Sequence, residues 1–288
     1  MHHPSPRPLG SATRSCVLAA SLLAAAPFVS CDAPGTDTPR STAGALRPAT
    51  EPAEPGVQSA HHFERRVVRE LATGYLLFLP ASYDDDPART WPLLVHLHGG
   101  GGRGAELEKL RHYPLVQRLE REPDFPFVTV TPQCPAGDHE EPLGDLWTEH
   151  AGLVLELIDE LIASYRIDPD RVVLVGHSMG GYGAWYLAHR APERFAAVVA
   201  MSGPGVTWWT YRIARAQIPV WVFHGERDEA VPIAESERMV EALRAAGGNV
   251  RFTRYPEGGH PIREPFDGEE PYRWLLEQRR SRSRAHAP

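Results

Sequence analysis

The stretch VVLVGHSMGGYGAWYLAHR, residues 172–190, joins an apolar run to a helical pattern. The serine at the junction, Ser178, has a glycine two positions to either side, Gly176 and Gly180. This is the G-x-S-x-G spacing of a nucleophile elbow, a tight strand-to-helix turn on which a serine projects clear of the backbone. Its neighbours must be small because their Cβ atoms would collide as the chain reverses. The stretch predicts a strand, a nucleophilic serine and a helix. The alternative is an ordinary strand-to-helix turn that carries glycine and serine by chance.

Apolar runs of strand length alternate with helical patterns along the chain from about residue 61. The strand-like runs are GYLLFLP, PLLVHLHG, FVTVTPQ, RVVLVGHS, FAAVVAMSG, VWVFHG and VRFTRYP. Helical patterns fall at residues 151–165, 182–190, 234–246 and 270–279. Strands that are apolar on both faces and alternate with helices indicate an α/β fold, a mostly parallel central sheet with helices on both faces. Active sites in such sheets lie beyond the carboxyl ends of the strands, so each catalytic residue should follow a strand.

An acid and a base follow two later strands, in the order that an elbow serine requires. Asp228 lies in the loop after VWVFHG, and His260 lies just after VRFTRYP. The order Ser178, Asp228, His260 is that of the α/β-hydrolases. We expect His260 to take the proton of Ser178 while Asp228 fixes the tautomer of the imidazole. Glu226 and Glu229 flank Asp228 and are alternative acids at this point.

Two other histidines lie within these motifs and are interpreted as supporting residues. His177 is inside the elbow, where it points away from the position of a base. His224 ends a strand and is interpreted as a core residue or as one that lies behind the catalytic residues. For His260 itself, an ordinary surface histidine in a glycine-containing loop is the alternative.

A glycine-rich loop, Gly99 to Gly102, follows the strand PLLVHLHG and is the expected oxyanion site. The N–H group of Gly100, or alternatively of Gly101, would act with that of Met179 to stabilise a substrate oxyanion. The loop also matches the G-x-G-x-x-G pattern of dinucleotide sites. That pattern requires an acid at the end of the next strand, but the strand here ends in Gln133, which disfavours a nucleotide.

Composition and charge exclude several other classes of function. The net charge of −7, with no basic stripe in the middle of the chain, argues against nucleic-acid binding. His96 and His98 share one face of a strand, but no carboxylate or cysteine stands at ligand spacing from them. We therefore expect neither a metal ion nor another cofactor.

The first 30 residues have the pattern of a signal peptide, with two arginines before the apolar stretch CVLAASLLAAAPFV. This stretch is too short to span a bilayer as a mature helix. The segment FVSC, residues 28–31, resembles a bacterial lipobox, so we expect lipidation of Cys31; simple secretion is the alternative. The protein would then be attached to a membrane by its lipid alone, on the periplasmic side of the cell envelope.

Composition also divides the rest of the chain. Residues 31–60 are rich in proline, alanine and threonine without apolar periodicity, which is typical of a disordered tether. Residues 61–280 are the expected catalytic domain, and residues 281–288 are a basic disordered tail. The sequence does not predict an oligomeric state.

From about residue 70 to 275 the chain resembles the α/β-hydrolase superfamily. Within it, the chain is similar to the phospholipase/carboxylesterase-like and polyhydroxybutyrate-depolymerase-like (LpqC-type) esterases, a group often labelled predicted peptidases. The resemblance rests on WPLLVHLHGGGGRG, TPQCP, DPDRVVLVGHSMGGYGAWYLA, PVWVFHGERDEAVP and GGNVRFTRYPEGGH. It implies the α/β-hydrolase fold and a serine triad. Because that family places its acid three residues before a Val-Pro pair, the resemblance favours Asp228 over its neighbours.

The chain departs from the family pattern at residues 102–104, Gly-Arg-Gly, and at residues 261–262, Pro-Ile. Both departures lie where a substrate would bind, so the resemblance does not carry over a substrate. Trp147, Trp208 and Trp209 follow strands and are candidate walls of a substrate pocket, with ordinary packing as the alternative.

The expected function is a serine hydrolase that cleaves small-molecule or polymeric carboxylic esters through an acyl-enzyme. A serine peptidase of the prolyl-oligopeptidase-like group is one alternative, although a chain of 288 residues leaves no room for the propeller that such enzymes usually carry. A non-catalytic, hydrolase-like binding protein is the other. The presence of all three triad residues argues against it.

Overall fold

The structure, a computed structural model, describes residues 72–136 and 146–280. Within them, seven strands form one sheet. The strands are β1 (Tyr75–Phe78), β2 (Trp91–Leu97), β3 (Val128–Pro132), β4 (Ile167–His177), β5 (Ala197–Met201), β6 (Val220–Gly225) and β7 (Val250–Tyr255). Their order is β1-β3-β2-β4-β5-β6-β7. β1 pairs antiparallel with β3, and the remaining pairs are parallel.

Helices cover both faces of the sheet. They are α1 (Pro114–Arg121), α2 (Ala151–Ser164), α3 (Met179–Arg190), α4 (Thr210–Arg215), α5 (Ala234–Ala245), α6 (Glu264–Asp267) and α7 (Glu270–Leu276). Alternate residues of the central strands enter two separate apolar clusters, one on each face. Apolar side chains of α2 to α5 pack in the first cluster, and those of α1, α6 and α7 pack in the second. Every residue of β2 is buried, as expected for a parallel strand covered on both sides.

The predicted α/β fold with a mostly parallel sheet is confirmed, and each of the seven predicted strands is present. The helix boundaries differ more from prediction. α3 begins at Met179, three residues before the predicted start, because the elbow turns directly into the helix despite its glycines. α7 ends at Leu276, three residues before the predicted end. Three helices were not predicted (α1, α4 and α6), since segments of eight, six and four residues are too short to show a helical period.

The topology brings the candidate catalytic segments to one edge of the sheet. β2 lies between β3 and β4, so the strand order reverses beside it, and crevices for ligands form at such reversals. The elbow follows β4 and the glycine loop follows its neighbour β2. The loops after β6 and β7 also come from adjacent strands. The candidate acid and base are therefore neighbours.

Several predictions fall outside the described residues: the signal peptide, lipidation of Cys31, the tether and the basic tail at residues 281–288. Among the helices that the structure describes, none is both long and apolar enough to cross a membrane.

Candidate active site

Ser178 stands at a strained turn between β4 and α3, with φ 57° and ψ −119°. A β-carbon at Gly176 would lie 2.1 Å from the carbonyl oxygen of Gly180, and one at Gly180 would lie 1.9 Å from that of Leu97. Only glycine therefore fits at either position. The N–H of Ser178 donates to the carbonyl of Met201 at 2.8 Å, which ties the turn to β5. Strained residues of this kind cluster at active sites, where the surrounding structure holds them in place.

His260 lies in the loop after β7 and faces the elbow. Its Nε2 atom lies 2.8 Å from Ser178 Oγ, a hydrogen-bond distance. This loop packs closely on the end of β6, because a β-carbon at Gly225 would lie 2.3 Å from the carbonyl oxygen of Gly258. The two glycines thus let the base-bearing loop approach the loop that carries the acid.

Asp228 is buried behind His260 and is its partner. Asp228 Oδ2 lies 2.8 Å from His260 Nδ1, while Oδ1 accepts hydrogen bonds from the N–H groups of Ala230 at 3.0 Å and Val231 at 2.8 Å. Burial acts to raise the pKa of Asp228, but the hydrogen bonds from Val231 and His260 outweigh it, and the pKa of this carboxyl is lowered. Asp228 is therefore a carboxylate at neutral pH.

The carboxylate of Asp228 also determines which nitrogen of His260 can act as a base. A carboxylate can only accept a hydrogen bond, so His260 Nδ1 carries the proton and Nε2 presents its lone pair to Ser178. Glu226 and Glu229, the alternative acids, are both exposed. The structure brings Asp228 to His260, and it leaves the two glutamates at the surface.

His177 holds the base-bearing loop through the backbone. Its Nε2–H donates to the carbonyl of His260 at 2.8 Å, and the two rings lie 5.0 Å apart. Burial lowers the pKa of His177, against the opposing effect of the hydrogen bond to His260. A neutral ring that donates to a main-chain carbonyl supports the position of His260 and is not placed to accept the Ser178 proton.

The glycine loop passes directly beside the nucleophile. A β-carbon on Gly99 would lie 3.5 Å from Ser178 Cβ, whereas one on Gly100 would meet no atom within 4 Å. Within the described part of the chain, the N–H groups of Gly100 and Gly101 donate no hydrogen bond. Met179 is the first residue of α3, where N–H groups lack an intrahelical acceptor and the helix dipole is positive. Amide groups without an acceptor among the described residues thus lie in the glycine loop and at the start of α3, the two segments that meet at Ser178.

Side chains from other segments hold the glycine loop in place. His98 Nδ1–H donates to the carbonyl of Gly99 at 2.7 Å, and its Nε2 accepts from the N–H of Cys134 at 2.9 Å. Burial lowers the pKa of His98 to about 4, so the ring is neutral and can fill both roles. The hydroxyl of Tyr113 also donates to Gly99, and the indole N–H of Trp147 donates to the carbonyl of His98, both at 3.0 Å.

The three tryptophans predicted as pocket walls have other surroundings. Trp147 is 1% exposed beneath the glycine loop, and Trp209 is 5% exposed and packs on Tyr182. Trp208 is 64% exposed, with its ring 4.4 Å from that of His189, near the last residue of α3. Ser178 immediately precedes the first residue of that helix, so a rise of 1.5 Å per residue separates it from His189 by about 16 Å along the helix axis. Trp147 and Trp209 are therefore packed side chains, the alternative that the sequence analysis left open. A role of Trp208 as a pocket wall stays a prediction.

Sequence reasoning missed Tyr113, which lies between two short helices and carries no motif signal. It also left open the role of His224, although its position at the end of a strand, four residues before Asp228, was a usable signal. Across residues 72–136 and 146–280, no cluster of three His, Cys, Asp or Glu side chains is arranged to hold a metal ion.

Most of the chain matches a known protein family. The model of the dienelactone hydrolase family matches residues 55–272. A curated relative, the uncharacterized peptidase YuxL of Bacillus subtilis (strain 168), is 22% identical over 228 residues, which is 67% of this chain and 34% of that protein. The chain thus spans about a third of this relative's length.

Two solved structures extend the comparison. A thermostable esterase superposes with a TM-score of 0.59 and 33% identity, over 72% of this chain and 59% of its own. The esterase PE8 superposes with a TM-score of 0.55 and 26% identity, over 72% of this chain and 99% of its own.

Proposed function

The chain belongs to the dienelactone hydrolase family, within the α/β-hydrolase superfamily, and we propose that it is a serine hydrolase that cleaves carboxylic esters. The observation that carries the proposal is the position of His260, whose two ring nitrogens each lie 2.8 Å from an oxygen, Ser178 Oγ on one side and Asp228 Oδ2 on the other. A serine hydroxyl is hardly ionised at neutral pH, so it requires a base in this position.

In the first half of the proposed reaction, Ser178 Oγ attacks the ester carbonyl carbon while His260 Nε2 accepts the serine proton. The carbonyl oxygen becomes an oxyanion, which the N–H groups of Met179 and Gly100 stabilise. When the intermediate collapses, the bond to the alcohol oxygen breaks and His260 returns the proton to that oxygen. The products of this half are a free alcohol and an acyl group on Ser178.

In the second half, water replaces the alcohol and the same groups repeat their roles. His260 Nε2 takes a proton from water, the resulting oxygen attacks the acyl carbon, and Ser178 leaves with the proton returned by His260. Asp228 remains ionised throughout and stabilises the imidazolium that forms twice per turnover. A carboxylic acid is released and Ser178 is regenerated.

A serine peptidase is the second candidate, and it rests on the curated relative from Bacillus subtilis, which is named a peptidase. The esterase proposal draws more support, because both compared structures above 25% identity are esterases and one of them is matched over 99% of its length. Amide cleavage uses the same groups but a poorer leaving group, so the two candidates differ in relative rate.

The experiment that separates the candidates is a rate comparison on the purified protein. Nitrophenyl esters of rising acyl length are tested beside aminoacyl anilides, with Ser178→Ala as the control for background hydrolysis. We expect ester hydrolysis that depends on Ser178 and little or no release of aniline. Release of aniline that is lost in Ser178→Ala would establish the peptidase, and identical rates for the wild type and Ser178→Ala on both kinds of substrate would contradict both.

A further inference from the structure

A second buried histidine, His224, lies against the carboxylate of Asp228. His224 is the penultimate residue of β6 and is fully buried. Its Nε2 atom lies 3.2 Å from Asp228 Oδ2, the same oxygen that receives the proton of His260 Nδ1. Two imidazole rings therefore flank one oxygen of the candidate acid. The mechanism proposed above uses only one of them.

The hydrogen-bond partners of His224 specify its tautomer. Nε2 lies 2.9 Å from the carbonyl oxygen of Val231, and Nδ1 lies 2.6 Å from the hydroxyl oxygen of Ser236. A carbonyl and a carboxylate are both acceptors, so the proton is on Nε2 and the Ser236 hydroxyl donates to Nδ1. The Nε2–H edge of His224 thus points toward Val231 and Asp228.

Val231 is held from both sides by this arrangement. Its N–H donates to Asp228 Oδ1 at 2.8 Å, and its carbonyl accepts from His224 at 2.9 Å. Ser236 is buried on the first turn of α5, so the ring of His224 connects β6, the loop that bears the acid, and the following helix. Rotation of the Asp228 carboxylate would break contacts on both of its oxygens.

From this geometry we propose that His224, oriented by Ser236, is a positioning residue that sets the orientation of the Asp228 carboxylate toward His260. The proposal rests on the proposed function, since it assigns a role within the same triad. Among the described residues, the polar partners given for His224 are Val231, Ser236 and Asp228, so we expect it to act through the loop that bears the acid.

Three variants and one double variant test the role. His224→Phe keeps a ring but removes both polar contacts, His224→Gln keeps a donor and an acceptor on one terminal amide, and Ser236→Ala removes only the hydroxyl. A hydrogen bond to a charged group is worth about one to two powers of ten. We expect His224→Phe to lower kcat for nitrophenyl acetate by about 10- to 100-fold with KM little changed, and we expect His224→Gln to recover most of that loss. Ser236→Ala should change kcat in the same direction by a smaller factor.

The double variant separates positioning from general loss of structure. If His224 acts through the carboxylate, His224→Phe should add little to the loss of kcat once Asp228→Asn is present. Equal fold losses in both backgrounds, or a His224→Phe variant with wild-type kcat, would overturn the proposal. Melting temperatures and circular dichroism establish that each variant is folded. If His224→Phe fails to fold, Ser236→Ala takes its place in the same comparison with Asp228→Asn.

A measurement without turnover keeps this proposal separate from the proposed function. The proton of His260 Nδ1, in the hydrogen bond to Asp228, is expected to resonate far downfield in the proton NMR spectrum. We expect the resonance to move in His224→Phe and to return in His224→Gln. If it moves as expected but no ester is cleaved, the proposed function is wrong while the positioning role stands; an unmoved resonance contradicts the positioning role.

Discussion

Replacement of Gly100 by proline removes one N–H group at the proposed oxyanion hole while the backbone stays compatible with the new residue. Gly100 is the first residue of a short 3-10 helix, Gly100–Gly102, a position at which the fixed φ of proline is tolerated. Gly99 has φ −74° and ψ 176°, the extended conformation that a residue before proline prefers. The Gly100 carbonyl keeps its hydrogen bond from the N–H of Arg103.

The expected loss follows from the chemistry of a single donor. Loss of one oxyanion donor typically costs about 10² to 10³ in kcat, or about 2.7 to 4 kcal/mol. The ring carbon bonded to nitrogen takes the place of the lost hydrogen and crowds the oxyanion as well, so this range is a minimum. Because the charge develops in the transition state, we expect kcat and kcat/KM to fall together with little change in KM.

Gly100→Ala is the matched control, because it keeps the N–H and its added β-carbon meets no atom within 4 Å. Initial rates on nitrophenyl acetate are compared for the wild type, Gly100→Ala and Gly100→Pro, with thermal melts to establish folding. We expect Gly100→Ala to retain activity within a few-fold, as for other surface substitutions without contacts. A folded Gly100→Pro with nearly wild-type kcat would refute the assignment of Gly100 and favour Gly101 as the donor.

The remaining predictions concern the acid, its pH dependence and the anchor. Asp228→Asn should lower kcat by about 10⁴, as in the comparable triad variant, because Nδ1 of His260 loses its acceptor; Glu226→Gln should leave kcat unchanged, and the reverse pattern would identify Glu226 as the acid. Folding lowers the pKa of Asp228, so the carboxylate stabilises the folded protein at pH values above the pKa of this group in the unfolded chain, about 4. This stability is lost as the pH falls through the pKa of Asp228 in the folded protein. Urea titrations should therefore show the wild type losing stability relative to Asp228→Asn below about pH 4, and a difference independent of pH would contradict the lowered pKa. Lipidation of Cys31 should appear in the mass of the mature N-terminus, and Cys31→Ser should release the protein from membranes; an unmodified N-terminus elsewhere would refute the lipobox.

The sheet could be predicted because its signals are local. Apolar runs such as that before Ser178 are buried on both faces of a parallel sheet and need no tertiary information to be recognised. The elbow was equally readable, because its G-x-S-x-G spacing is a local pattern. The structure explains the two glycines, since a β-carbon at Gly176 would meet Gly180 and one at Gly180 would meet Leu97 on the neighbouring strand β2. Chain order then identified Asp228 and His260, which the structure brings together.

The residues that support the site could not be assigned from the sequence, because their roles depend on contacts between distant segments. Trp147 follows a strand in sequence, but whether it lines a pocket or supports the glycine loop depends on His98, 49 residues away. Tyr113 reaches Gly99, 14 positions earlier in the chain, without any sequence pattern to mark it. The family resemblance favoured Asp228 over its exposed neighbours, but the contact with His260 that distinguishes it forms only where the loops after β6 and β7 meet.

The central claim, that Ser178 is an activated nucleophile, is tested most directly by covalent labelling with an organophosphonate ester. The reagent phosphonylates a serine only where a base removes its proton, so the label reports activation without any assumption about the substrate. Peptide mass spectrometry of the labelled protein should find one adduct, on Ser178, which is absent in Ser178→Ala and strongly reduced in His260→Gln. An unlabelled wild-type protein, or an adduct on another residue that persists in Ser178→Ala, would contradict the claim.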